Sequence, residues 1–146
     1  MSLENLTELF LPEIEAELQL VVAQTRLQGL KDMHSMLAYH MGWEGEDAGP
    51  VARGKRIRPL LVLLTASASG GEWQCALPAA AAVELVHNFS LIHDDIQDQS
   101  SHRHKRLTVW KIWGIAQAIN AGDAMFTLAF LALQRLAETV STEAAL

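Results

Sequence analysis

Two stretches of this sequence, Ala79–Val83 and Ala124–Leu133, are apolar on most faces of a helix. A helix of that kind does not suit a protein surface; it belongs in the middle of a bundle. The rest of the chain agrees with helices. No strand-like alternation persists, whereas helical spacing recurs: Ile14, Leu18, Val21 and Val22 form one stripe, and Leu30, Met33 and Leu37 another. Pro12 stands near the start of the first stripe, where a helix accepts proline. The pattern predicts an apolar helix between Pro59 and Gly70, a long helix from Cys75 to about Asp98 with Pro78 in its first turn, and a last long helix from about Ile115 to Glu138. Residues 42–54, with Gly42, Gly45, Gly49 and Pro50, are predicted to be a loop, and so are the polar residues 99–108. The expected fold class is all-α.

Composition narrows the function. With 146 residues, half of them hydrophobic and 19% charged, the chain is no disordered segment. The single cysteine, Cys75, excludes a disulfide framework and a cysteine-based zinc site, and it fits a reducing cytoplasm. The longest charge-free run, Pro59–Gly71, is too short to span a membrane, so no transmembrane segment is expected, and no signal peptide is visible. The net charge of −6 is unevenly spread: residues 1–50 carry −7, residues 51–110 carry +2 and residues 111–146 carry −1. An acidic total argues against nucleic acid as a partner. The central segment places two basic clusters around an acidic one, which suits a small, highly charged anion held with a metal.

The acidic cluster is His93-Asp94-Asp95-Ile96-Gln97-Asp98, at the end of the predicted long helix. Asp94 and Asp98 are four residues apart and share a helix face. Like charges there, at the negative end of the helix dipole, call for a cation. Oxygen ligands favour Mg²⁺, which keeps waters and takes substrate phosphates as further ligands. Alone, this pattern is equally a solvated acidic helix end. Arg53, Lys55, Arg56 and Arg58 precede the first apolar helix, and Lys55 and Arg58 are spaced to face one way as a diphosphate clamp. A solvated basic loop is the plainer alternative. His87 lies seven residues before Asp94, two turns away on the same face, where a bonded core histidine is the bland reading. His102 to Arg106 follows at loop distance and could close over an anion.

Together these residues resemble the polyprenyl synthetase family, the trans-isoprenyl diphosphate synthases. The resemblance runs through Gly54-Lys55-Arg56-Ile57-Arg58-Pro59, Glu84-Leu85-Val86-His87, Leu91-Ile92-His93-Asp94-Asp95-Ile96-Gln97-Asp98, Arg103, Thr108-Val109 and Ala121-Gly122-Asp123-Ala124, in order from about Gly54 to about Leu133. Residues 1–53 fit only loosely. The resemblance implies an isoprenoid synthase-type helical bundle and a prenyltransferase that condenses isopentenyl diphosphate with an allylic diphosphate. It implies Asp94, Asp95 and Asp98 as the catalytic aspartate motif, with Asp94 and Asp98 as Mg²⁺ ligands. Lys55, Arg58 and His87 match the isopentenyl diphosphate site, and Arg103 matches an arginine on the allylic diphosphate. His104 stands where the family has a second arginine, and Lys105 where it has a glycine; Lys105 or Arg106 is a possible substitute for that arginine. Mg²⁺ and the basic side chains would stabilise the departing pyrophosphate while apolar helices keep the growing chain dry. Phe89, five residues before Asp94, suggests a farnesyl or geranylgeranyl product. A complete family protein is expected to be a homodimer.

The family's second aspartate-rich motif has no counterpart, since no aspartate follows Asp123. Residues 1–146 therefore read as the N-terminal half of a synthase, expected to turn over little alone. Two rival readings stand beside it. One is a non-catalytic small subunit or helical partner of a synthase. The other is an HD-type metal phosphohydrolase built on His93-Asp94, with His87 and Asp123 completing the site. Trp110 and Trp113 read as packing residues. Asp123 reads as a buried aspartate in a structural role or linked to the site. Glu4, Glu8, Glu13, Glu15 and Glu17 read as a solvated helix face.

Overall fold

The computed structural model describes residues 3–27 and 29–140. The order of elements is α1 (Leu3–Leu27), α2 (Lys31–His40), α3 (Pro50–Arg53), α4 (Ile57–Ala68), a 3₁₀ turn (Trp73–Ala76), α5 (Leu77–Gln97), β1 (His102–Arg103), β2 (Arg106–Leu107), α6 (Val109–Trp113), α7 (Ile115–Gln134) and α8 (Leu136–Thr139). The all-α expectation holds, and the predicted long helices match α5 and α7.

The chain forms two compact units, with α1, α5 and α7 each contributing to both. The first comprises residues up to Val21, Arg56–Leu85 and the chain from Leu128. Its core holds Phe10, Ile14, Leu18, Leu63 and Leu85, and Phe10 packs on Trp73 at 4.7 Å between ring centroids. Two ion-pair sets lie in this unit: Arg56 between Glu15 and Glu84, and Arg135 with Glu17. The solvated acidic face is thus corrected at Glu15 and Glu17, which both have arginine partners. Pro12 is also further in than expected, nine residues after the start of α1. It lies on the exposed side, where water can take the carbonyl its missing N–H leaves free, while Phe10, Ile14 and Leu18 keep the buried stripe continuous.

The second unit comprises Val22–Lys55 and Val86–Thr127. Its core holds Val22, Leu37, Met41, Ile92, Val109, Ala118 and Met125. Leu30, expected on a buried stripe, is 54% exposed at the start of α2. The predicted loop at 42–54 contains the helical turn α3, opened by Pro50, because proline pre-sets the backbone for a first helical position. The predicted loop at 99–108 contains an antiparallel hairpin pairing His102 with Leu107 and Arg103 with Arg106. Strands of two residues are too short to show alternation in a sequence. Tyr39 meets Trp113 edge-on at 5.2 Å, and the Trp110 Nε1–H donates to the Ser100 carbonyl, so both tryptophans pack as expected.

Two stretches, Trp73–Gln97 and Ile115–Thr139, are long and apolar enough to cross a membrane by length and composition. The charge-free-run argument did not reveal them, because isolated charges interrupt each. Their apolar windows are 44% and 39% buried within the protein, and core helices pass the same length-and-composition test.

Candidate functional site

The end of α5 shows how one sequence run divides its labour. At roughly 100° per residue, Asp94 and Asp98 lie within about 40° of each other, and Asp95 points elsewhere. Asp94 and Asp98 are exposed; Asp95 is 2% exposed. The last turn is closed by backbone bonds from Asp98 N–H to the Asp94 carbonyl (2.8 Å) and from Ser100 N–H to the Asp95 carbonyl (2.9 Å). Gln99 stops the helix at φ 52°, in the left-handed conformation typical of such ends.

Buried Asp95 is gripped by Arg103 of β1. Arg103 donates from Nη2 to Oδ1 at 2.9 Å and from Nε to Oδ1 and Oδ2 at 3.2 and 3.1 Å. This uses the Nε–Nη2 edge of the guanidinium. The base of the hairpin is tied to the end of α5, since Thr108 Oγ1 donates to the Ser100 carbonyl at 2.9 Å. At the hairpin turn, His104 (φ 50°) and Lys105 (φ 69°) are left-handed and exposed. His104 comes close to Gly54: a Cβ added there would lie 4.0 Å from Nε2. Asp95, Arg103 and His104 line one cleft together with Ala52 and Thr108.

Arg106, named above beside Lys105 as a substitute for the missing arginine, is bound into the fold. It is 7% exposed and donates to the carbonyls of Tyr39 (2.7 Å), Glu44 and Glu46 (2.9 Å), with its guanidinium 3.9 Å above the Tyr39 ring. Gly45 is required there: its φ is 90°, and a Cβ would lie 2.8–2.9 Å from the Tyr39 ring and Arg106 Nη2.

The basic motif before α4 behaves similarly. Arg56 is left-handed (φ 48°) and 5% exposed, whereas Lys55 and Arg58 are exposed. Helical spacing does not explain how those two could act together, because Lys55 precedes the helix and Arg56 turns the backbone between them. Lys55 belongs to the unit of the aspartates, and Arg58 opens α4 in the other. His87 is half-buried, two turns before Asp94 on α5. Asp123 corrects the reading of a buried aspartate: its side chain is 66% exposed, facing His93.

The sequence profile described as Polyprenyl synthetase matches residues 49–145. The chain belongs to the polyprenyl synthetase family. It is 52% identical over 99 residues to a (2E,6E)-farnesyl diphosphate synthase of Mycobacterium tuberculosis, covering 66% of this chain and 28% of the relative. A geranylgeranyl diphosphate synthase of the same species is 44% identical over 106 residues, covering 71% and 30%. The crystal structure of a polyprenyl synthetase from Streptomyces coelicolor superposes with a TM-score of 0.81 at 39% identity, covering 93% of this chain and 40% of that one. The chain thus spans less than a third of the length of these curated relatives.

Among the described residues, no group of three or more His, Cys, Asp or Glu forms a metal site by itself. Two exposed carboxylates one turn apart nevertheless fit Mg²⁺, which takes one or two protein carboxylates and completes its shell with water and phosphate oxygens. Sequence reasoning missed the Asp95–Arg103 pair and the commitment of Arg56 and Arg106 to the fold. The one available signal was that a helix end cannot turn three nearby aspartates to one face.

Proposed function

We propose that this polyprenyl synthetase chain provides the first-aspartate-motif side of a short-chain isoprenyl diphosphate synthase. The reaction condenses isopentenyl diphosphate with an allylic diphosphate to a farnesyl- or geranylgeranyl-length product. The observation that carries this reading is the split within the aspartate motif: Asp94 and Asp98 exposed on one face, Asp95 buried against Arg103.

In this reading Asp94 and Asp98 hold Mg²⁺, which when bound supplies positive charge against the leaving diphosphate. Arg103, oriented by Asp95, offers its remaining donors to the allylic diphosphate. Lys55, Arg58 and His87 hold isopentenyl diphosphate, and His104, beside Gly54, stands in for the second arginine. The allylic C–O bond breaks, the isopentenyl double bond attacks the resulting cation, and a proton leaves. Phe89, 4.9 Å from Phe126 between ring centroids, limits the product length. The free, half-buried Cys75 agrees with a reducing compartment such as the cytoplasm.

Binding is the suitable assay, because the match covers less than a third of these relatives' own length. Calorimetric titration with inorganic pyrophosphate should show tighter binding when Mg²⁺ is added. Asp94→Asn with Asp98→Asn should remove that gain, a loss of about tenfold or more. Equal binding with and without Mg²⁺ refutes the reading. Co-elution with a full-length synthase by a chain that binds no pyrophosphate would instead support the small-subunit reading.

A further inference from the structure

We infer that His93, seated over Gly122 and beside Asp123, is a positioning residue that holds Asp94 and Asp98 in register for their cation; this rests on the functional reading above. The last turn of α5 is a poor place for two carboxylates. Their charges repel, the helix dipole opposes them, and helix ends fray. Something must hold the turn. The residues on either side of Asp94 are each fastened to a different element: Asp95 to Arg103 of the hairpin, and His93 to α7. Asp94 itself is left exposed between them.

The seat on α7 is specific. His93 Nε2 lies 3.4 Å from the Ile119 carbonyl and 3.6 Å from Asp123 Oδ1. A carbonyl can only accept, so Nε2 carries the hydrogen. A Cβ on Gly122 would fall 2.3 Å from Nε2, so the ring can occupy this place only over a glycine. Phe89 closes the other side edge-on, 4.7 Å from the imidazole centroid, and itself rests on Phe126. Ile119, Gly122, Asp123 and Phe126 are successive turns of one face of α7. This explains a Gly-Asp pair inside an apolar helix that packing alone does not require. It also argues against the HD reading, because His93 faces α7 and Asp94 faces solvent.

Gly122→Ala tests the seat without weakening α7, since alanine is the better helix former. In the metal-free 146-residue chain, the amides of Asp98 and Ser100, whose bonds close the turn, should exchange hydrogen several-fold faster than in the wild type. The apparent Mg²⁺ affinity, read from pyrophosphate titrations at a series of Mg²⁺ concentrations, should fall about tenfold. His93→Ala should do the same, His93→Gln should restore most of it by donating to the Ile119 carbonyl, and Asp123→Asn should change little. Unchanged Mg²⁺ dependence in both Gly122→Ala and His93→Ala overturns the inference, even if exchange quickens, because the contact would then be only structural. A wild-type chain whose pyrophosphate binding ignores Mg²⁺ overturns the functional reading first and this inference with it.

Discussion

The segment before α4 and the hairpin after α5 are both basic, and each gives one arginine to the fold. Around Arg56, Lys55 and Arg58 are exposed; beside Arg106, Arg103, His104 and Lys105 are left to the cleft and solvent. Both segments use left-handed residues that are not glycine. They differ in what receives the buried guanidinium. Arg56 is clamped between two carboxylates, Glu15 at 2.6 Å and Glu84 at 3.0 Å, with all three side chains largely buried. Among the described residues Arg106 meets no carboxylate; it fills a ring of backbone carbonyls against a tyrosine. The first is an ion-pair clamp and the second a scaffold for a loop. Losing one strands charge, and losing the other strands only dipoles.

The largest effect should therefore follow Arg56→Ala. It leaves the Glu15 and Glu84 carboxylates facing each other without their cation, and breaking a buried pair by removing one partner costs about 3–5 kcal/mol. Denaturant unfolding of the 146-residue chain measures it. The triple change Arg56→Met, Glu15→Gln, Glu84→Gln should recover more than half of the loss, since the stranded charge is gone. A loss below about 1 kcal/mol for Arg56→Ala would show that the clamp is well hydrated and the contrast with Arg106 false.

How much of this was legible beforehand follows from the range of each interaction. The helices α5 and α7 were readable because periodicity is a local property. That Asp94 and Asp98 share one face was readable from their four-residue spacing alone. The fate of the arginines was not: Arg56 meets residues 41 and 28 positions away, and Arg106 meets carbonyls 60 to 67 positions away. In a run such as Lys55-Arg56-Ile57-Arg58, left-handed backbone at Arg56 breaks the helical phase that would otherwise assign faces. Glu17 escaped for the same reason, since Arg135 lies 118 residues on. The seat of His93 was hidden differently, because what matters at Gly122 is the absence of a side chain.

Arg106→Ala should cost less, about 2–3 kcal/mol. Hydrogen bonds from a charged donor contribute about 1.5–3 kcal/mol each, but the bereaved carbonyls of Tyr39, Glu44 and Glu46 can regain water once the side chain is gone. The cation–π contact adds roughly 0.5–1 kcal/mol. Arg106→Lys should recover little, because one ammonium cannot span three carbonyls and a ring. Unfolding midpoints measured in parallel with Arg56→Ala test the ranking, which fails if Arg106→Ala is the more damaging.

The smallest effect should have the opposite sign. Lys105 sits at φ 69° in the hairpin turn, a conformation that costs an ordinary L-residue roughly 1–2 kcal/mol. Its neighbour His104, at φ 50°, is of a type that enters this region more readily. Glycine at position 105 removes the strain but adds freedom to the unfolded chain, at a cost of roughly 0.5–1 kcal/mol. Lys105→Gly should therefore raise stability by about 0.5–1 kcal/mol. The same variant reports on function: if the lysine is kept for its charge, pyrophosphate should bind more weakly as the fold tightens. Stability gained with unchanged binding would mean that the basic residues of this hairpin are not equivalent and that Lys105 does not serve the anion. Stability lost would mean that Lys105 makes contacts in solution that outweigh its strained backbone.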